Sequence, residues 1–150
     1  MKKTISLLFA AVAVLLSATA HAQFAKPEDA IKYRKNALFV MQVNFARVAG
    51  MASGKIPFDA KVAAESAAVA EFVSKLPWVA FVDGTDKGDT RAKPEIWKEA
   101  AKYKESADKM QSEMGKLSAA AKTGNLDAIK TAVAATGGTC KNCHDAFRKD

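Results

Sequence analysis

Four stretches of this 150-residue chain carry apolar side chains at intervals of three and four, the spacing that lines them along one face of an α-helix. The first seam runs Ile31, Arg34, Leu38, Met41, Phe45, Val48. Pro27-Glu28-Asp29 opens it with the proline and acidic residues that a positive helix N-terminus prefers, and Ser53-Gly54-Lys55-Ile56-Pro57 stops it. A second stretch, from about Asp59 to Leu76, carries Val62, Ser66, Val69, Val73 and Leu76 in alanine-rich surroundings and ends at Pro77. Beyond a charged, glycine-containing loop from Asp83 to Lys93, Lys93-Pro94-Glu95 begins a third, with Ile96, Ala100, Tyr103, Ala107, Met110, Met114, Leu117 and Ala121. Gly124 stops it, and Asn125 caps a fourth that carries Leu126, Ile129, Val133, Thr136, Cys140, Cys143 and Phe147. No stretch reads as a strand. The pattern predicts an all-α fold, an antiparallel four-helix bundle; turn signals break every seam before about 25 to 30 residues, too soon for an extended coiled coil.

Residues 1–22 stand apart from this pattern. MKKTISLLFAAVAVLLSATAHA has Lys2 and Lys3 as a charged start, an apolar run from Ile5 to Leu16, and Ala20-His21-Ala22 as a small-x-small cleavage signal. The apolar run is shorter than the roughly 20 residues needed to cross a bilayer, so it reads as a removed export signal and not as a membrane anchor. A single domain, 23–150, then begins at Gln23 and works outside the cytoplasm, in a bacterial periplasm. Loss of Lys2 and Lys3 lowers the net charge from +7 to +5. That excess is spread over helical faces, which argues against nucleic-acid binding and favours an acidic redox partner if there is one.

The chain closes on TCKNCHDAFRKD, residues 139–150, with two thiols three apart and an imidazole directly after. That spacing alone admits a disulfide, a redox dithiol, part of a metal site or a haem attachment point. A reactive dithiol belongs where a strand feeds a helix N-terminus; these cysteines sit near the end of the last helix. A structural zinc site needs four ligands, and beyond Cys140, Cys143 and His144 the exported chain has no other cysteine or histidine. A local disulfide leaves His144 and the core-facing thiols unexplained. Haem accounts for all three: both thiols lie on one helical face and can add to two vinyl groups of one porphyrin edge, with His144 as the proximal iron ligand.

With QFAKPEDAIKYRKNAL at the front, LPWVAF before the loop, RAKPEIW after it and CKNCHDAFRK at the end, the sequence resembles the cytochrome c' family, whose CxxCH lies near the C-terminus of a four-helix bundle. The resemblance implies one haem c per chain, with Cys140 and Cys143 as thioethers and His144 as axial ligand. It places Leu38 over the distal iron face, where low-spin relatives carry methionine, with Met41, Trp78 and Phe81 lining that pocket. Arg34 would neutralise a haem propionate, Lys35 and Asp89 would lie near the haem edge, and Arg148, one turn after His144, would contact the proximal side. Homodimers through the first two helices are common in the family, and Phe39 and Val43 off the main seam fit such a contact.

Five-coordinate iron under hydrocarbon suits nitric oxide and carbon monoxide, which need no hydrogen-bond donor, better than dioxygen, which does. Slow, sterically gated gas binding is therefore expected. Single-electron transfer uses the same residues, and the redox partner is unknown. The chain is not expected to be an enzyme, since peroxidase chemistry needs a distal acid or base and none is evident. The alternative is a six-coordinate low-spin electron carrier with a methionine distal ligand, for which Met41 is the candidate. Gly137 and Gly138, costly inside a helix, suggest close approach of another surface.

Overall fold

The computed structural model describes residues 23–149. The export signal read in residues 1–22 lies outside the described residues. Helix α1 spans Pro27–Ala52, α2 Ala60–Val73, a one-turn α3 Glu95–Lys98, α4 Ala100–Lys122 and α5 Leu126–Phe147; a 3-10 turn occupies Pro77–Ala80. α1 packs on α2, α2 on α4, α4 on α5, and α5 back on α1, which closes a four-helix ring. No named strand occurs among the described residues.

Local chemistry sets the helix ends. Proline stands in the first turn of α1, followed by Glu28 and Asp29. Asp59 accepts from the Val62 amide to start α2, and Asn125 accepts from the amides of Asp127 and Ala128 to start α5. The α4–α5 turn passes through Gly124 at φ 68°, a left-handed conformation in which a side chain would be strained.

The larger of two core clusters runs down the ring: Met41 and Val48 of α1, Ala67 and Ala70 of α2, Met110, Met114 and Leu117 of α4, and Ile129 of α5. Full burial of each larger aliphatic side chain contributes about 1.5–3 kcal/mol, the main force holding the helices together. The seams of α1, α4 and α5 lie where the periodicity puts them.

Three expectations need correction. Val69 does not face the core: it is 42% exposed, and α2 turns Ala63, Ser66, Ala67, Ala70 and Val73 inward. Small side chains let neighbouring backbones approach closely, so an alanine stripe rather than the large apolar residues marks the contact face. The third helix is not continuous from Pro94. Glu99, at φ −115° and ψ 44°, leaves the helical region and separates α3 from α4, so that Ala100 is exposed. Nor do the helical glycines mark a tight contact among the described residues. A Cβ on Gly137 would lie 4.0 Å from Phe45 Cζ, and one on Gly138 would have nothing within 4 Å.

Candidate functional site

α5 presents Cys140 and Cys143 on its inner side, both half-buried and both free thiols. They meet different parts of the interior. Cys140 packs against the main core cluster together with Leu38 and Trp78, whereas Cys143 packs with Phe81, Tyr103 and Ala146 around Ala92, Ile96 and Phe147. The thiol pair therefore lies on the boundary between two apolar clusters. Burial raises the Cys140 thiol above its ordinary range, and burial followed by neighbouring Cys140 pushes Cys143 up to about 11. Both sulfurs stay protonated at neutral pH, the opposite of an activated dithiol.

His144 projects from the exposed side of the same turn. Arg148 Nη1 lies 3.3 Å from its Nδ1 and 3.5 Å from its Nε2. Burial, then the Arg148 and Arg91 charges, hold the imidazole below its ordinary value against the opposing pull of Asp145. The ring is accordingly neutral at neutral pH, the form in which imidazole binds a metal. Among the described residues, no cluster of three or more histidine, cysteine, aspartate or glutamate side chains could hold a bare metal ion.

The end of α5 is fastened in a way the periodicity did not reveal. Ala92 and Arg148 form an antiparallel bridge, with the Lys93 amide donating to Phe147 O at 3.0 Å and the Lys149 amide to Arg91 O at 2.8 Å. Arg91 Nε donates to Lys149 O at 3.0 Å, and Lys93 Nζ to Asp145 O at 2.9 Å. These bonds fix the last turn of α5, and with it the position of His144.

Arg34 is buried on the α1 seam as the spacing requires, and four protein acceptors meet its guanidinium. Nη1 donates to Ala80 O at 3.0 Å and Thr85 Oγ1 at 2.6 Å; Nη2 donates to Thr85 O at 2.5 Å and Thr90 Oγ1 at 2.8 Å. The guanidinium also lies 4.5 Å from the Phe81 ring centroid. Hydroxyls and carbonyls of the 77–90 segment thus satisfy the charge, and Arg34 holds that segment against α1. Lys35 and Asp89 pair with each other at 2.5 Å on the surface beside it.

A cavity of about 390 Å³ opens against this segment, walled by Trp78, Phe81, Ile96, Trp97, Tyr103 and Ala107. Its aromatic walls belong to the two clusters that hold the cysteines. Leu38 is half-buried against the main core cluster, as Cys140 is, and Met41, at 9% exposure, belongs to that same cluster. The structure therefore brings Leu38, Trp78 and Cys140 into one cluster, and Phe81 and Cys143 into the other. Sequence reasoning placed Tyr103 only on a packing seam. Its phenol hydroxyl, the polar tip of a residue walling the cavity, was missed, because periodicity registers a tyrosine only as apolar.

The family profile described as Cytochrome C' matches residues 29–148. The chain belongs to the cytochrome c' family. It is 55% identical over 128 residues to cytochrome c' of Rubrivivax gelatinosus, covering 85% of this chain and 99% of the relative. Against cytochrome c' of Alcaligenes xylosoxydans xylosoxydans it is 46% identical over 127 residues, covering 85% and 98%. The crystal structure of the Rubrivivax cytochrome c' superposes with a TM-score of 0.82 over 85% of this chain and all of that one. The nitric oxide complex of a leucine-to-alanine mutant of cytochrome c' from Alcaligenes xylosoxidans superposes at 0.79, with 44% identity, over 85% of this chain and 99% of that one.

As a cytochrome c', the protein carries covalently bound c-type haem. The residues present fit that group. Two protonated thiols share one helical face at a junction of apolar clusters, a neutral imidazole follows directly, and an aromatic-walled cavity lies against both clusters.

Proposed function

We propose that the chain is an exported, periplasmic haem protein that binds nitric oxide and carbon monoxide and exchanges single electrons, rather than an enzyme that turns over a substrate. In this reading Cys140 and Cys143 carry the haem as thioethers and His144 is its axial iron ligand. The haem supplies an iron centre that binds a diatomic gas or changes oxidation state. The chain's own residues decide access. The observation that carries the reading is the placement of Leu38, a side chain with no lone pair, beside Cys140 and Trp78; Met41 lies in that same cluster, which makes its thioether the alternative ligand. Arg148 against the imidazole orients the proximal ring, and Arg34 with the Lys35–Asp89 pair steadies the segment that carries Phe81. The nitric oxide complex of the Alcaligenes relative supports gas binding here.

Shortening the roof is the direct test. Leu38→Ala should speed carbon monoxide association by roughly a hundredfold, because the barrier is the displacement of a packed side chain; a hundredfold corresponds to about 2.7 kcal/mol of barrier. Stopped-flow mixing with the ferrous protein measures it. Resonance Raman of the ligand-free ferrous parent should show five-coordinate high-spin iron. A six-coordinate low-spin spectrum lost in Met41→Leu would establish the methionine-ligated electron carrier instead.

The outer faces of α1 and α2 suit a homodimer contact. These adjacent helices expose Phe39 at 64% and Phe72 at 66%, with Val43 and Val69 also outward. Phe39→Glu should shift the sedimentation coefficient from dimer to monomer at micromolar concentration; an unchanged value would remove these faces from the interface.

A further inference from the structure

Nine lysines among the described residues pair with a carboxylate, eight of them with one three or four positions away. None of Arg91, Lys93, Arg148 and Lys149 is among them, and the Ala92–Arg148 bridge gathers these four at one end of the bundle. Arg91 Nε donates to Lys149 O across 58 positions, and Lys93 Nζ donates to Asp145 O. A carbonyl holds such a side chain in place without cancelling its charge. In the described parts of the two segments, 91–93 and 141–149, Asp145 is the one carboxylate, and Lys141 pairs with it at 2.5 Å. Even with Asp150 counted, the two segments hold five basic residues against two acidic.

The same end exposes His144, and the charges of Arg148 and Arg91 both act on its imidazole. The fastened turn thus carries a fixed, uncompensated positive field beside the haem attachment motif. None of the exposed large apolar residues lies in either segment. Stable binding to a membrane surface combines basic charge with apolar side chains that enter the acyl layer, so a surface of charge alone fits an acidic protein better. Such a field steers an oppositely charged partner into contact and fades as salt screens it.

We propose that this end of the bundle is the docking surface for an acidic electron-transfer protein, whose carboxylates meet Arg91, Lys93, Arg148 and Lys149. This rests on haem attachment at Cys140, Cys143 and His144 and on single-electron exchange. It places the partner against the turn that holds the axial ligand, at the far end of α5 from the α4–α5 turn.

Reduced flavodoxin, a small acidic flavin protein, is the probe. In the step it tests, the flavin hydroquinone gives one electron to ferric iron and becomes the semiquinone. The haem-loaded parent is compared with Arg91→Glu/Lys149→Glu and with Lys55→Glu/Lys122→Glu, which changes the net charge equally at the other end. There a Cβ on Gly124 would lie 3.6 Å from Ala60, so the α1–α2 and α4–α5 turns meet; α5, of 22 residues, spans about 33 Å between the two ends. That exceeds the screening length of about 10 Å in 0.1 M salt. The first pair should weaken the flavodoxin Kd by roughly tenfold at low ionic strength and flatten its salt dependence, and the second by less than about twofold. Lys149→Glu alone should give part of the loss with the bridge intact, because only the main chain of Lys149 bonds across it. Equal losses from both pairs would overturn the proposal, as would vesicles of anionic phosphatidylglycerol that bind the parent more tightly than flavodoxin does. Flavodoxin that binds without reducing the haem would count against electron exchange, and the Kd comparison would still decide the surface.

Discussion

A chain carrying Cys140→Ser and Cys143→Ser is expected to be recovered with no covalently attached haem, against one per chain in the parent. Each thioether needs a sulfur nucleophile, and a serine hydroxyl in the same place is a far poorer one. What remains is a single imidazole on the exposed side of α5, where one axial bond has to hold the cofactor unaided. Extraction into acidified organic solvent separates the two outcomes, since thioether-bound haem stays with the protein and free haem leaves. The helices should survive, because Val48, Met114, Leu117 and Ile129 form their cluster without either sulfur being buried in its centre. Far-ultraviolet circular dichroism should therefore retain most of its helical signal. Haem that resists extraction from the double variant would end the assignment of these two residues.

Arg34→Ala is expected to cost about 3–4 kcal/mol of stability. The side chain is 2% exposed, and its two terminal nitrogens satisfy two backbone carbonyls and two hydroxyls of the 77–90 segment. Thr85 Oγ1 retains a bond to Val82 O at 2.7 Å, but Ala80 O and Thr85 O lose their side-chain donor in a buried place, at about 1–3 kcal/mol each. Thermal unfolding of the haem-loaded protein should move down by roughly 10 °C. Arg34→Lys keeps the charge but loses the planar fork that reaches four acceptors at once, so it should recover only part of the loss. Hydrogen exchange gives the local readout: amides from Phe81 to Thr90 should lose protection more than those of α4. A uniform loss across the bundle would mean that Arg34 acts through general packing and not by fastening this segment.

Much of this molecule was legible before any coordinates, and the reasons differ by element. The seams of α1, α4 and α5 carry large side chains whose burial is worth most, so periodicity and packing agree there. In α2 they part. Alanine contributes little to a hydropathy pattern yet permits the closest helix contact, so Val69 and Phe72 point outward. The break at Glu99 was hidden because glutamate is a good helix former, and only its backbone angles show the interruption. At the site, the three residues of the CxxCH motif are adjacent in sequence and could be read together. The Arg34 contacts join residues separated by 46 to 56 positions, and the Ala92–Arg148 bridge spans a similar distance. Only the folded chain brings such pairs together.

The segment from Pro77 to Lys93 touches both sides of the attachment site. Near its start it carries Trp78 and Phe81, in its middle it is pinned by Arg34, and at its end Ala92 is stitched to the turn after His144. Both walls around the two thiols therefore hang from one continuous strap, so that loosening it at Arg34 or at the Ala92–Arg148 bridge would slacken the two together.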